Sequence, residues 1–235
     1  MVWAGALASL GSGIAFAGLF LISEHLLTKR YLEKSLNLSH KHVLNICEAI
    51  VSGFQATLSS ICGVIVVTSC CHDVMWAVHP LASWYAWIAA GYFTYDIWAM
   101  YKVYFSSLAT VPTSTFELFK GFIKRRTLLI AHHVILITVL FPVLVYRSGL
   151  GDFFVGCFFC VELSGPFTNG RVILSRLGLK NSRLYLLNGI AMIVTFALCR
   201  ILVFPYMYLA YGDQYNLDVM GVIRKIPLHC NLGCM

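Results

Sequence analysis

Six stretches of this chain run for about 20 residues or more with few charges. They extend from about Trp3 to Leu27, Val43 to Ser69, Pro80 to Phe105, Thr127 to Tyr146, Asp152 to Leu177 and Leu184 to Tyr211. An α-helix rises about 1.5 Å per residue, so roughly 20 apolar residues cross the hydrocarbon of a bilayer. Backbone amides in lipid find no water, and only helices and closed barrels satisfy them there. Runs of this length therefore predict helices. Composition agrees, with 59% hydrophobic residues, 11% charged residues and a mean hydropathy of +0.79. Soluble domains carry about 25% charged residues. The expected fold is an all-α membrane protein, a bundle of six transmembrane helices.

The first run is too long for a signal-peptide core and has no small-residue cleavage site before Glu24. It reads as a retained helix. Gly5, Ala8, Gly11, Gly13, Ala15 and Gly18 give it small faces for close packing. Residues 1–42 thus form a first helix and loop, and 43–235 the remaining bundle. Pro142 predicts a kink near the far end of the fourth run. The last residues, Ile226 to Met235, read as the start of a further helix, so a longer chain would carry a seventh.

The net charge of +7 is unevenly distributed. Lys29, Arg30, Lys34 and Lys41 follow the first run; Lys102, Lys120, Lys124, Arg125 and Arg126 flank the third connection; Arg176, Lys180 and Arg183 flank the fifth. These are twelve of the 17 basic residues, all in alternate loops. Cytosolic loops carry such an excess, so the N-terminus is expected to be lumenal or exterior. Asn37-Leu38-Ser39 is a glycosylation sequon that this orientation places in the cytosol, unmodified. The basic residues set topology and predict no nucleic-acid partner. Phe116 to Arg126 reads as a basic interfacial segment. The nine cysteines are scattered with no metal-ligand spacing, and Cys70-Cys71-His72-Asp73 reads as a turn. No metal or bound cofactor is expected.

Charges inside the runs stand out, because ionisable groups in a membrane are costly and mark functional sites. Counted from the basic ends, Asp96, His132, His133, Asn169 and Arg171 share one level. Tyr92 lies four residues before Asp96, on the same helical face. His132 and His133 diverge by about 100° on their helix, so the two cannot point identically: one faces the cavity while the other packs or orients it. Glu162 and Arg200 share a deeper level on consecutive antiparallel helices, where a packing ion pair is the simpler reading. Ser164-Gly165-Pro166 follows Glu162 and predicts an interrupted backbone ladder there.

With these residues assembled, the chain resembles the TLC-domain family. The matching stretches are Tyr92-Phe93-Thr94-Tyr95-Asp96-Ile97-Trp98-Ala99-Met100-Tyr101, His132-His133, Gly151-Asp152-Phe153-Phe154-Val155-Gly156-Cys157, Glu162-Leu163-Ser164-Gly165-Pro166-Phe167 and Cys199-Arg200-Ile201-Leu202-Val203-Phe204-Pro205. The resemblance implies a helical bundle around a lipid-sized cavity. The expected location is the endoplasmic reticulum, with the Golgi or plasma membrane as alternatives. It also implies a role in sphingolipid synthesis or membrane-lipid homeostasis. Ceramide synthases of this family follow the paired histidines with a His-Asp-x-Ser-Asp motif in the next helix. Laid on Val161 to Gly165, that motif keeps its first acid as Glu162 and its serine as Ser164, while Gly165 replaces the second acid.

Two functions follow from the resemblance. One is an N-acyltransferase joining acyl-CoA to a sphingoid base, with His132, His133 and Asp96 catalytic. In that reading Tyr92, Glu162, Ser164, Asn169 and Arg171 line the lipid site, and basic loops attract the CoA phosphates. The other is a non-catalytic protein that binds membrane lipids and adjusts phospholipid composition. The histidine pair favours the first and Gly165 the second. A transporter is disfavoured because no internal repeat is evident.

Overall fold

A computed structural model describes residues 2–30, 38–108, 114–147 and 149–226. The sequon asparagine Asn37, Lys34 and the tail from Pro227 to Met235 lie outside the described residues. Among the described residues, six helical rods pack together, as the apolar runs predict. They are α1 (Val2–Arg30), α2 (His40–Cys70), α3 (Pro80–Ser106), α4 (Thr115–Ile135) continued through a π-helical turn into α5 (Phe141–Tyr146), α6 (Asp152–Cys160) continued into α7 (Gly165–Arg176), and α8 (Arg183–Phe196) continued into α9 (Val203–Tyr215). A short α10 (Val219–Lys225) follows. No strand occurs among the described residues. Three stretches, Trp3–Leu27, His40–Cys70 and Arg183–Tyr215, are long and apolar enough to cross a membrane.

Prolines account for most of the breaks. Pro has no N–H and its ring crowds the carbonyl four residues back. A π turn over Leu136–Leu140 precedes Pro142, and a second over Ala197–Leu202 precedes Pro205. Between α6 and α7 the ladder tightens to a 3-10 turn, Val161–Ser164, and the helix restarts at Gly165-Pro166. The interruption expected after Glu162 is present. Arg126 interrupts α4 without a proline: its backbone is non-helical (φ −122°, ψ 23°) where the basic segment turns into the apolar run.

Helix α2 is the central rod, packed against α1, α3, α6 and α7. Lipid tails are as apolar as side chains, so such contacts rest on close fit rather than on escape from water. The small residues of α1 supply that fit. A Cβ on Gly13 would lie 3.2 Å from the carbonyl oxygen of Gly91, and Ser12 Oγ donates to Ile88 O at 3.0 Å. At the basic end, Lys102 pairs with Glu24 and sits 5.0 and 5.6 Å from the ring centroids of Phe20 and Trp98. The outward faces of α8 and α9 are exposed and apolar (Leu186, Leu187, Ile190, Ile193, Leu209).

The opposite end is closed by polar contacts. Asp152 is fully buried, pairs with Arg147 and accepts from the His79 backbone N–H at 2.7 Å. Gly151 precedes it with φ 73°, a left-handed conformation that side chains other than glycine rarely adopt, and donates to Met75 O at 2.8 Å. The Cys70-Cys71-His72-Asp73 stretch forms a turn after α2. Asp73 accepts from the Gln214 amide and from the backbone of Trp76 and Met75, contacts that hold its carboxyl below the ordinary aspartate range.

Candidate functional site

The polar interior is built on α2. Asn45, Glu48, Ser52, Gln55 and Ser59 recur at alternating steps of three and four, so they occupy one helical face. Because α2 is central, that face looks inward. Each member has a partner, as polar groups away from water require. Glu48 Oε2 lies 3.8 Å from Arg126 Nη2. Ser52 Oγ accepts from Tyr92 OH at 3.0 Å and Asn169 Nδ2 at 3.3 Å, tying α2 to α3 and α7. Gln55 Nε2 donates to Tyr85 OH at 3.2 Å, and Ser59 Oγ donates to Phe159 O at 3.2 Å. Sequence reasoning that weighed charges and histidines missed this stripe. Its spacing was the available signal.

Beside it lies the acid–imidazole pair. His133 Nδ1 stands 3.5 Å from Asp96 Oδ2, and both residues are buried. The approach is a contact without hydrogen-bond geometry, and Nδ1 has no other partner. Phe93, between Tyr92 and Asp96 in sequence, places its ring 5.3 Å from the imidazole. His132 diverges as its helical position requires. It is exposed on the outer side of α4, its ring 5.6 Å from that of His133.

A second cluster forms where the chain is interrupted. Arg200, on the π turn, donates from Nε to Ser164 Oγ at 3.1 Å, and its Nη2 lies 3.9 Å from Glu162 Oε2. Glu162 and Ser164 sit on the 3-10 turn, so both irregular segments serve one contact. The Arg200 and Glu162 side chains keep 36% and 29% of their exposure, so their pairing is loose. Gly165 adjoins α2: a Cβ there would lie 2.5 Å from Ala56 Cβ and 3.7 Å from Glu162 Oε2.

Tyr92 and Asn169 therefore meet through Ser52, and Asp96 meets His133. Glu162, Ser164 and Arg200 form a separate group. Arg171 joins neither, because two residues after Asn169 it faces α8, its guanidinium 4.2 Å from the Tyr185 ring centroid. Two cavities lie at the ends of the bundle. One of about 330 Å³ at the basic end is bordered by Lys41, Arg125, Arg126 and Arg176. The other, about 530 Å³, lies at the opposite end beside Phe153, Tyr206 and Gln214.

Apolar rods with exposed apolar exteriors and a hydrogen-bonded polar interior define a multi-pass helical membrane protein. A family model described as the TLC domain (TRAM_LAG1_CLN8) matches residues 45–235, and the chain belongs to that family. No solved structure matches it.

Proposed function

We propose that the protein acts in lipid metabolism as a ceramide-synthase-like N-acyltransferase, joining the acyl group of acyl-CoA to a sphingoid base. The observation that carries this reading is the buried His133–Asp96 pair at 3.5 Å. A carboxylate beside Nδ1 favours the tautomer that leaves Nε2 free to accept a proton. Contacts of this kind are often long in the absence of substrate and tighten when it binds. His133 takes the proton from the amine as nitrogen attacks the thioester carbonyl and passes it to the departing sulfur as the C–S bond breaks, so CoA leaves as the thiol. His132, exposed on the other side of the helix, has no part in proton transfer. Tyr92, Ser52 and Asn169 supply hydrogen-bonding groups one level away for the hydroxyls of the base. The basic loops support an orientation with the N-terminus lumenal and this site in the cytosolic half of an endoplasmic-reticulum bilayer.

A second reading, a non-catalytic lipid-binding regulator of membrane phospholipid composition, is favoured by Gly165. The position of the family's second acid is filled here by the contact with Ala56. Incubation of the purified full-length chain with sphinganine and labelled acyl-CoA decides between them. Labelled ceramide that depends on His133 supports the transferase. Its absence, with retained lipid binding, supports the regulator.

A further inference from the structure

The cavity at the basic end is bordered by cations from three rods. Lys41 comes from the start of α2, Arg125 and Arg126 from α4, and Arg176 from the end of α7, with Asn45, Val103, Tyr104 and Ser107 completing the wall. Adjacent residues on an unbroken helix point about 100° apart. The non-helical backbone of Arg126 lets both arginines border one cavity. Glu48 is the carboxylate beside this cluster, 3.8 Å from Arg126. Among the described residues, no carboxylate lies within ion-pairing distance of Lys41, Arg125 or Arg176. Four cations gathered around the single carboxylate of Glu48 keep a net positive charge and repel, and an anion with several acceptor oxygens relieves that repulsion. Arginine pairs match phosphate oxygens through parallel N–H donors.

The surroundings indicate a membrane source for the phosphate. Phe116, Phe119 and Ile123 are exposed at positions i, i+3 and i+7 of the same α4 segment, and Leu128 is exposed just past the break. Lys120 and Lys124 flank that stripe. A helix with an apolar face and lysines beside it lies at a bilayer interface. Basic pockets between membrane helices receive anionic headgroups. We propose that this cavity binds the phosphate of an anionic phospholipid, whose acyl chains lie along the exposed apolar flank of α4. Neither His133 nor Asp96 lines this cavity. It stands or falls by binding, independently of acyl transfer.

The test is equilibrium binding of a fluorescent short-chain phosphatidic acid to the purified full-length chain in neutral detergent. Competitors are unlabelled phosphatidic acid, phosphatidylcholine with the same chains, CoA and inorganic phosphate. Phosphatidic acid is expected to compete at least tenfold better than each of the others. Arg125→Gln with Arg176→Gln is expected to weaken binding at least tenfold, and Lys41→Gln alone at least threefold, with melting temperature as the folding control. Lys120→Gln with Lys124→Gln, outside the cavity, is expected to change it less than twofold. Competition by phosphatidylcholine as strong as by phosphatidic acid would overturn the headgroup site. So would equal losses in the cavity and flanking variants, or unchanged binding after loss of the cavity cations. Equal competition by CoA or inorganic phosphate would overturn the lipid source.

Discussion

His133 Nδ1 and Asp96 Oδ2 approach to 3.5 Å inside the bundle, while His132 turns its ring outward from the same helix. The two neighbouring histidines therefore separate in their expected effects. His133→Ala is expected to lower acyl transfer by about 10²–10⁴-fold, the usual contribution of a positioned base. His132→Ala is expected to leave most activity. Asp96→Asn removes the orienting charge and is expected to cost on the order of 10–100-fold, as for carboxylates that orient metal-bound histidines. Ceramide formation at matched expression, with melting temperature as control, measures all three. Equal loss in the two histidine variants would contradict the proposed division of roles.

The Glu162–Ser164–Arg200 contact is partly open, which limits its strength. Arg200→Gln is expected to destabilise by about 1–3 kcal/mol, mainly through the charged hydrogen bond to Ser164. Glu162→Gln is expected to cost less, about 1 kcal/mol or under, because exposed pairs contribute little. A double-mutant cycle on Ser164→Ala and Arg200→Gln, read by denaturation in detergent, checks the coupling. Additive losses would mean that the hydrogen bond contributes nothing.

Gly165 is set by the approach of α2. Gly165→Ala places a methyl group 2.5 Å from Ala56 Cβ, and overpacking of this kind costs about 1–3 kcal/mol. Ala56→Gly in the same chain removes the clash at about 1 kcal/mol of helix propensity. The double variant is therefore expected to melt above Gly165→Ala alone. A double variant that melts lower would show that the two helices do not meet there.

At the opposite end, Asp152 is the fully buried acid that holds Arg147 and the His79 N–H. Asp152→Ala leaves the Arg147 guanidinium, whose side chain is 11% exposed, without its partner. The expected cost is about 3–5 kcal/mol, the usual range for breaking a buried pair. Asp152→Asn, which keeps an acceptor for His79, is expected to cost less. Thermal stability of the two variants gives the order.

The loop charges also make a prediction about modification. In cells that glycosylate lumenal sequons, Asn37 is expected to remain bare, while a sequon engineered near the N-terminus is modified. A glycosidase-sensitive mass shift that disappears in Asn37→Gln would reverse the orientation and place the His133 site in the lumenal half.

Helix number, helix extent and the basic end were legible in the sequence because their causes are local. An unbroken apolar run must bond its own backbone in lipid, and a proline disturbs the turn just before it, as at Pro142 and Gly165-Pro166. The expected depths of Asp96, His133, Glu162 and Arg200 followed from the constant rise per residue. Which residues touch depended on helix rotation and approach, which spacing along one helix does not specify. Asn169 and Arg171 share a depth, yet one bonds Ser52 on α2 and the other stacks on Tyr185 of α8. His132 and His133 differ by one position, and only the packing of α4 against α3 selects which one meets Asp96. The stripe from Asn45 to Ser59 lay in plain view as a three-four spacing. Its meaning came from α2 being the rod against which α1, α3, α6 and α7 pack. Arg125 and Arg126 border one cavity where the backbone breaks between the basic and apolar parts of α4. That break is a tertiary outcome, since no proline or glycine occupies the position.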